Sequence, residues 1–431
     1  DVQTDEPIPF VNIGAINTSK GTSSNINGEF ILVIDSFPKE IFFSHLNYAK
    51  RGIKVIENHA LVIKLSPVDN VLDAITVEGK KRGNYLVDLV SKAYNKALYS
   101  RYQQYGKAFY RQTSKTGTKY SELYEIFYDA KFSDIGITDW EVQEGRYAMG
   151  ATALANKNFT LLSRIISTIQ PNTNDFVMPI NPQMEDYYEF SVIEVKKMGN
   201  REVARLNFEP LKRVKTPAFE GDVYIDINNY DILKIKGKIQ NDKLSFVKIT
   251  GDGTWQNYVL DYELAYRESA DSLILDYISI DQSFDYYREN ELVYPVKTVS
   301  QLTFYEHYTP RKNKRLGGSI NSRRSDAAIL DKIGNNKDFW DENEIVKRTP
   351  IELEVIESFE SKKAFGTIYL NDQKQIVLER NDILKDTLVN EMLVRFQRNT
   401  KYQEKAYLHL DKPYYAAGEQ MWYSGYVVDA S

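Results

Sequence analysis

The amino-acid sequence predicts a mainly β protein, in the range from all-β to α+β. The 431 residues include 31 Tyr and 20 Phe, and these side chains favour the half-buried surface of a pleated sheet. Residues 258–266 alternate between large apolar side chains and polar or small ones, which is the period of a strand with one buried face. At about 100–200 residues per domain, the length predicts two to four domains.

The composition excludes several classes of site. The chain has no cysteine, so disulfides, thiolate zinc sites, iron–sulfur clusters, cysteine nucleophiles and thioesters are excluded. A formal net charge of −5 provides no general attraction to nucleic acid or anionic lipid. No window approaches 18 consecutive apolar residues, so no membrane-spanning helix is predicted. The sequence starts at Asp1 without an initiator Met, and we expect a processed chain whose signal peptide has been removed.

The N-terminal segment is predicted to form a small β-sandwich. Apolar side chains alternate at residues 11–13, and Asn27-Gly28 signals a hairpin turn in which the glycine adopts positive φ. Phe30 and Leu32 are expected in the sandwich core. Further strands are predicted at 30–33, 41–43 and 61–63.

Many positions in residues 1–79 stand in the order found in one known family. They are Pro7, Pro9, Val11, Asn12, Lys20, Gly21, Thr22, Asn27, Gly28, Glu29, Phe30, Ser44, Tyr48, Leu65 and the closing segment 72–77. With these positions the segment resembles the carboxypeptidase-regulatory-like domain of Bacteroidota envelope proteins. The resemblance implies a transthyretin-like β-sandwich without catalytic activity, since the zinc chemistry of the founding carboxypeptidases lies in a separate domain. Members usually have one more strand before the proline-rich segment, so the first edge is expected to be incomplete or supplied by a neighbour.

Residues 84–309 are predicted to form one helix and a large curved antiparallel sheet. Apolar side chains recur at helical spacing along residues 84–105, and Gly106 is expected to end this helix. Its apolar face, which we expect to pack on the sheet, consists of Leu86, Leu89, Val90, Ala93 and Ala97. The predicted strands are 119–129, 187–197, 203–208, 221–227, 231–239, 258–266, 272–287 and 291–305.

Turns and insertions complete this prediction. Asn228-Asn229 and Asn241-Asp242 are expected to be hairpin turns, residues 150–170 a helical insertion, and residues 171–186 a loop. The segment GDVYIDINNYDILKIKGKI (221–239) resembles a hairpin of half-barrel lipoprotein-carrier-like domains and of a Bacteroidota family of unknown function. The resemblance implies a possible half-barrel with a ligand groove. A closed core is favoured, because Tyr at period two is ordinary strand composition.

The rest of the chain divides into a linker and the start of another domain. Residues 310–400 are predicted to be a polar linker with two helices. One begins at a capping box, Thr349 to Glu352, and extends to about Lys363, and the other spans 382–397. Residues 404–431 resemble the opening of a macroglobulin-type β-sandwich, through Asp411-Lys412-Pro413, Tyr415, Gly418-Glu419 and Trp422. We expect that this domain continues beyond Ser431 or borrows strands from elsewhere.

No catalytic, cofactor or metal site is predicted. None of the histidines, His45, His59, His307 and His409, has a second ligand at metal-binding spacing. Ala417 stands where the macroglobulin thioester motif has cysteine. One dense basic cluster fits either contact with lipopolysaccharide phosphates or an acidic partner, or a solvated loop, which is the favoured interpretation. The cluster consists of Arg311, Lys312, Lys314, Arg315, Arg323 and Arg324.

Together the resemblances imply an exported protein that is associated with the outer membrane on either face, with only peripheral membrane contact. The first hypothesis is a non-catalytic structural or adaptor subunit of a Bacteroidota outer-membrane complex. This complex would serve transport, secretion or outer-membrane-protein assembly. The expected partners are barrel or lipoprotein subunits, and no nucleic acid. The alternative is a periplasmic or surface lipid or lipoprotein carrier that uses the 107–309 sheet as a half-barrel, and would need an open apolar cavity. A third hypothesis is a hydrolase of unknown substrate, which needs a converging acid–base pair.

Overall fold

A computed structural model describes most of the chain up to residue 310 and shorter stretches beyond it. The described ranges are 1–68, 80–99, 104–150, 166–171, 176–198, 201–240, 253–269, 272–310, 316, 329–330, 333, 339–340, 347–361, 365, 368–369, 404–410 and 423–429. The chain divides into two compact units, Asp1–Val377 and Leu378–Ser431. Strands dominate the described residues, which confirms the predicted mainly β class.

Residues 1–68, the N-terminal module, contain a four-stranded antiparallel sheet in the order β2-β1-β3-β4. Its strands are β1 (Asn12–Ala15), β2 (Gly21–Ser23), β3 (Lys39–His45) and β4 (Tyr48–Val55). The register places Ile13 opposite Phe43 and Asn12 opposite Ser44, so this N-terminal sheet has one apolar and one polar face. The buried apolar face includes Ile13, Ile41, Phe43 and Val55, all at most 5% exposed.

Within residues 1–68, the second layer of the predicted sandwich is not built from strands, and the predicted closing segment 72–77 lies outside the described residues. The predicted strands at 30–33 and 61–63 are wrong, because neither segment pairs in a ladder. Their side chains nevertheless pack half-buried against the apolar face. The turn at Gly28 is confirmed, with φ of 74°. The side-chain oxygen of Asn25 accepts the backbone N–H groups of Asn27 and Glu29 (both 2.9 Å), and this local capping competes with a hairpin ladder.

Ten antiparallel strands form the large sheet, and a two-residue strand pairs in parallel at its edge. The chain builds this sheet as two meanders, which join where β14 pairs with β5. All predicted strands from 119–129 onward are confirmed, whereas β5 and β7 are not predicted. The strands are β5 (Gln104–Thr116), β6 (Lys119–Ser133), β7 (Gly136–Gly150), β8 (Tyr188–Met198), β9 (Arg201–Pro210), β10 (Glu220–Asp226), β11 (Ile232–Gln240), β12 (Gly253–Ser269), β13 (Ser272–Arg288), β14 (Glu291–Tyr308) and β15 (Ile368–Tyr369).

Helix α1 (Lys80–Tyr99) covers the inner face of the large sheet. The predicted apolar face is confirmed, since all five of its side chains are at most 8% exposed and share one core with the inner residues of β5 to β14. The predicted helix end at residue 105 is wrong, because Gly106 lies in β5. A Cβ atom on Gly106 would lie 2.8 Å from Cδ1 of Phe304, so glycine permits the close pairing of β5 with β14.

Two segments between β7 and β8 complete this inner core. Residues 166–170, predicted to end a helical insertion, are not helical, and residues 151–165 lie outside the described residues. The backbone N–H groups of Thr168 and Ile169 both donate to the carbonyl of Asp134, which replaces helical hydrogen bonds. The predicted loop at 171–186 runs into a single helical turn, α2 (Met184–Tyr187).

Helix α3 (Pro350–Ser361) covers the outer face of β6 and β7. The predicted capping box is confirmed. The backbone N–H of Thr349 donates to the carboxylate of Glu352 (2.7 Å), and the backbone N–H of Glu352 donates to Oγ1 of Thr349 (3.2 Å). Val355, Ile356 and Phe359 on this helix pack against the sheet.

A buried cluster of charges lies beneath α3. Glu125 on β6 accepts hydrogen bonds from Arg111 (2.9 Å) and Arg146 (2.7 Å), on the two neighbouring strands. Glu352 of α3 contacts Arg111 at 3.2 Å, so the helix contributes a carboxylate to the same cluster. Burial raises the pKa of Glu125, but the arginine charges outweigh it and hold the pKa at about 2.

In the described part of the second unit, β16 (Glu404–Leu410) pairs antiparallel with β17 (Tyr423–Asp429). The macroglobulin-like motif at 411–422 and the predicted helix at 382–397 lie outside the described residues. Within the part of the chain that the structure describes, no helix combines the length and apolar character needed to cross a membrane.

The substitution Glu125→Gln is expected to lower the free energy of unfolding by roughly 3 kcal/mol, because two buried guanidiniums lose their shared charge partner. Urea unfolding followed by circular dichroism measures this. Glu357→Gln, on the exposed side of α3, is the matched control and should change stability by less than about 0.5 kcal/mol. Equal effects of the two substitutions would contradict a structural role for the cluster.

The same group gives a pH dependence with a defined sign. Because the folded-state pKa of Glu125 is about 2 and its ordinary value is 4.5, its stabilising contribution is complete above pH 4.5 and is lost as the pH falls toward 2. The stability difference between the native chain and Glu125→Gln should therefore shrink over this interval. A difference that stays constant from pH 5 to pH 2 would refute the assignment.

Candidate functional site

The N-terminal module encloses a cavity of about 880 Å³, which we call the N-terminal cleft. Its floor is the apolar face of the N-terminal sheet, including Ile13, Ile41 and Phe43. Its walls are the two irregular segments around residues 30–34 and 57–65. The volume lies within the range of about 300–1,000 Å³ that is typical of ligand sites.

The cleft exists because the second layer is irregular. Two packed sheets lie about 10 Å apart, and their side chains interdigitate to fill the space between them. Here Phe30, Leu32, Leu61 and Ile63 reach the sheet but are only half-buried. Segments without ladder pairing do not present side chains at a regular period, so part of the space above the sheet remains open.

The rim of the cleft exposes apolar side chains. Val33 is 53% exposed, Phe37 is 40% exposed and Val62 is 89% exposed. Single exposed apolar residues are ordinary, but a group around the mouth of an apolar cavity indicates a contact surface. Val33 and Val62 lie in the segments predicted as strands, whereas no prediction covers Phe37. The unbroken apolar run at 30–34, which lacks alternation, is the sequence signal that marks both sides of this segment as apolar.

The charge around the cleft is predominantly acidic. Among the described residues that line it, two lysines, Lys64 and Lys347, stand against a larger set of acids. Lys64 forms an ion pair with Asp5 and lowers its pKa through this hydrogen bond, so Asp5 is ionised at neutral pH. The acids are Asp1, Asp5, Glu6, Glu29 and Glu57. The rim therefore favours a ligand that carries positive charge next to an apolar part.

The module is fixed on the outer face of the large sheet by polar and aromatic contacts. Oγ of Ser23 donates to the buried carboxylate of Asp276 (2.9 Å), which also pairs with Arg267 at 3.0 Å. Phe10 stacks on Tyr277 with ring centroids 5.2 Å apart. Burial raises the pKa of Asp276 to about 6 despite the charge of Arg267. These contacts set the direction in which the cleft opens.

The structure does not test the basic cluster predicted from the sequence, because all of Arg311, Lys312, Lys314, Arg315, Arg323 and Arg324 lie outside the described residues. Of the histidines, His45 ends β3 and His307 lies buried beside Arg267. Within the described ranges, no three metal-ligating side chains come together.

The inner face of the large sheet is relevant to the carrier hypothesis. Val90 and Ala93 of α1 are fully buried against it, as are Ile166 and Ile169. In the described part of the chain, these side chains occupy the position that a half-barrel ligand would take. The N-terminal cleft is therefore the better candidate for a binding site.

A side chain that fills the cleft should compete with an apolar probe. Leu61→Trp adds an indole to the wall and is expected to weaken binding of the uncharged dye Nile red roughly tenfold, about 1.4 kcal/mol. Fluorescence titration measures the affinity. Val293→Trp, on the exposed start of β14, is the control and should bind the dye as the native chain does. Unchanged affinity of Leu61→Trp, with an unchanged melting temperature, would show that the dye does not enter the cleft.

Comparison with known proteins gives limited similarities. Residues 80–250 match the model of a family of unknown function, DUF5686. No curated protein matches the chain. A LolA superfamily protein from Nitrosomonas europaea is 9% identical and aligns with 52% of this chain and 94% of its own, at a TM-score of 0.22. A DUF1329 family protein from Desulfovibrio piger is 11% identical over 51% and 92% of the two chains, also at 0.22. Global similarity at this TM-score does not define a common fold.

Proposed function

We propose that this chain is a non-catalytic adaptor subunit of a Bacteroidota outer-membrane complex, and that its N-terminal cleft holds an extended apolar segment of a partner subunit. The observation that carries the proposal is the open, apolar and acid-rimmed space above a sheet over which the described residues 1–68 place no second strand layer. The outer-membrane location rests on the resemblance of residues 1–79 to envelope modules.

An extended segment suits the cleft because it supplies a strand layer that the described residues 1–68 do not form. In donor-strand complementation, a strand from one chain completes the core of another, and alternate side chains fill the pockets. Each Val, Leu or Ile buried in this way stabilises the complex by about 1.5–3 kcal/mol before the entropy of ordering is subtracted. Phe37 and Val62 at the rim would be covered by the same segment.

The acidic rim determines the flanks of that segment. Glu29 and Glu57 belong to opposite walls of the cleft, so lysine or arginine next to the apolar stretch would meet negative charge. A fatty acid would place its carboxylate in the same repulsive field. The charge therefore favours a peptide with basic flanks over an anionic lipid.

The buried charges of the large sheet support a structural role. Glu125 and Asp276 each face arginine, and both sites tie a neighbouring element to the sheet, α3 in one case and the N-terminal module in the other. Carboxylates held in this way fix the orientation of packed elements. A rigid support presents the cleft to a partner with little loss of conformational freedom on binding.

Site-specific photo-crosslinking in cells that produce the protein tests the proposal. With p-benzoylphenylalanine at Phe37 or Val62, we expect light-dependent adducts to the same outer-membrane partner. Mass spectrometry should place the crosslinks in an apolar stretch flanked by lysine or arginine. The control position is Leu292, which is 54% exposed on the β13–β14 hairpin and should give no such adduct.

Each other outcome counts against the proposal. Adducts to phospholipid at both rim positions would favour the carrier alternative in place of the adaptor. Adducts to a second copy of the chain would assign the cleft to self-association. Equal labelling at Leu292 would show that the rim has no selective partner.

A further inference from the structure

A second cavity, of about 650 Å³, lies between the N-terminal module and the outer face of the large sheet. We call it the inter-module cavity. One wall belongs to the polar face of the N-terminal sheet and includes Asn12 and His45, whereas the opposite wall includes Lys234 of β11 and Tyr277 of β13. It is separate from the N-terminal cleft, which faces the opposite side of the N-terminal sheet.

The charges around this cavity do not balance. Lys234 and Lys236 share the single carboxylate of Glu263, so this group of three keeps one positive charge in excess. Lys197 also lines the cavity and forms no ion pair with any described residue. The other cations that line the cavity are matched by acids. Lys50 and Arg201 both pair with Glu268, and Arg201 also pairs with Asp226 and Asp231, of which Asp231 forms a further ion pair with Lys96. Arg267 pairs with Asp276.

The ammonium of Lys234 lies at the centre of this excess. Its side chain is 9% exposed, and Nζ lies 3.3 Å from the hydroxyl oxygen of Tyr277. Burial lowers the pKa of Lys234 to about 8, the charge of Glu263 opposes this effect, and the charge of Lys236 adds to it. A buried cation that shares its counter-ion is stabilised by any further anion that reaches it.

His45 adds an uncharged donor to the same wall. Its Nδ1 accepts the backbone N–H of Asn47 at 3.1 Å, so in the neutral ring the proton is assigned to Nε2. Burial lowers the pKa of His45 to about 4, with a further contribution from Lys234, so the ring is neutral at physiological pH. The Nε2–H group is then the ring's hydrogen-bond donor.

Part of the lining is apolar. Phe10, Leu46, Val68, Leu233 and Leu273 contribute to the walls. A volume of about 650 Å³ exceeds the needs of an inorganic anion and lies in the range of small organic ligands. The lining thus combines a cationic part and an apolar part.

We propose that the inter-module cavity binds a small organic anion, consisting of one carboxylate or phosphate on an apolar body, with the anionic group at Lys234, Lys197 and His45. The proposal does not depend on the function of the N-terminal cleft. Both a free metabolite and a lipid-derived anion present this chemistry. The probes below differ in the anionic group and in the presence of an apolar chain.

Isothermal titration calorimetry on the full chain tests this with octyl phosphate, octanoate and inorganic phosphate. We expect octyl phosphate or octanoate to bind at least tenfold more tightly than inorganic phosphate, and the better of the two identifies the anionic group. The variant Lys234→Met should weaken this binding at least tenfold, while Glu263 keeps Lys236 as its partner. Lys238→Met, exposed on the same strand and outside the lining, is the control and should bind normally.

Two further measurements keep the test decisive if Lys234→Met does not fold. Lys197→Met changes an exposed side chain and should weaken binding several-fold. Binding to the native chain should also weaken as the pH rises through about 8, where Lys234 loses its charge. Absence of binding by both organic anions, equal affinity for inorganic phosphate, or pH-independent binding unaffected by the lysine variants would each overturn the proposal.

Discussion

A β-sheet with an apolar face must have that face covered, and the structure follows from the way each sheet meets this requirement. The large sheet is covered on its inner face by α1 and on its outer face by α3 and the N-terminal module. Among the described residues, irregular segments cover the apolar face of the N-terminal sheet and touch it without filling the space above it. The same requirement therefore produces a closed core in one part of the molecule and an open cleft in the other.

The two faces of the N-terminal sheet have different roles. Its apolar face forms the floor of the cleft, and its polar face lies against charged side chains of β11 to β13. Ser23 joins the two parts through a buried, charge-assisted hydrogen bond to Asp276, which forms an ion pair with Arg267 within the large sheet. Such buried contacts fix geometry more than they add net stability. Because the module cannot turn freely on the sheet, the cleft and the inter-module cavity keep a constant relation.

Sequence pattern alone predicts most of the large sheet, because strands such as β12 have one apolar side and alternate strictly. It does not predict β5 and β7, since both faces of these strands are buried and consecutive residues such as Phe109 and Tyr110, or Tyr147 and Ala148, are both apolar, which breaks the alternation. The capping box at Thr349 is predictable because it is local. The cleft is not predictable from the sequence, because the run at 30–34 has the composition of a strand. In the described part of the module this run has no partner strand, and it therefore stays irregular.

Methyl NMR of the full chain, with isotope-labelled isoleucine, can show whether the N-terminal cleft accepts an extended apolar segment with basic flanks. During titration with a peptide of alternating valine and threonine flanked by lysines, we expect saturable shifts of the Ile13, Ile41 and Ile63 methyl signals, and much weaker shifts when glutamates replace the lysines. Shifts confined to isoleucines of the large sheet, or none at all with either peptide, would refute binding in the cleft.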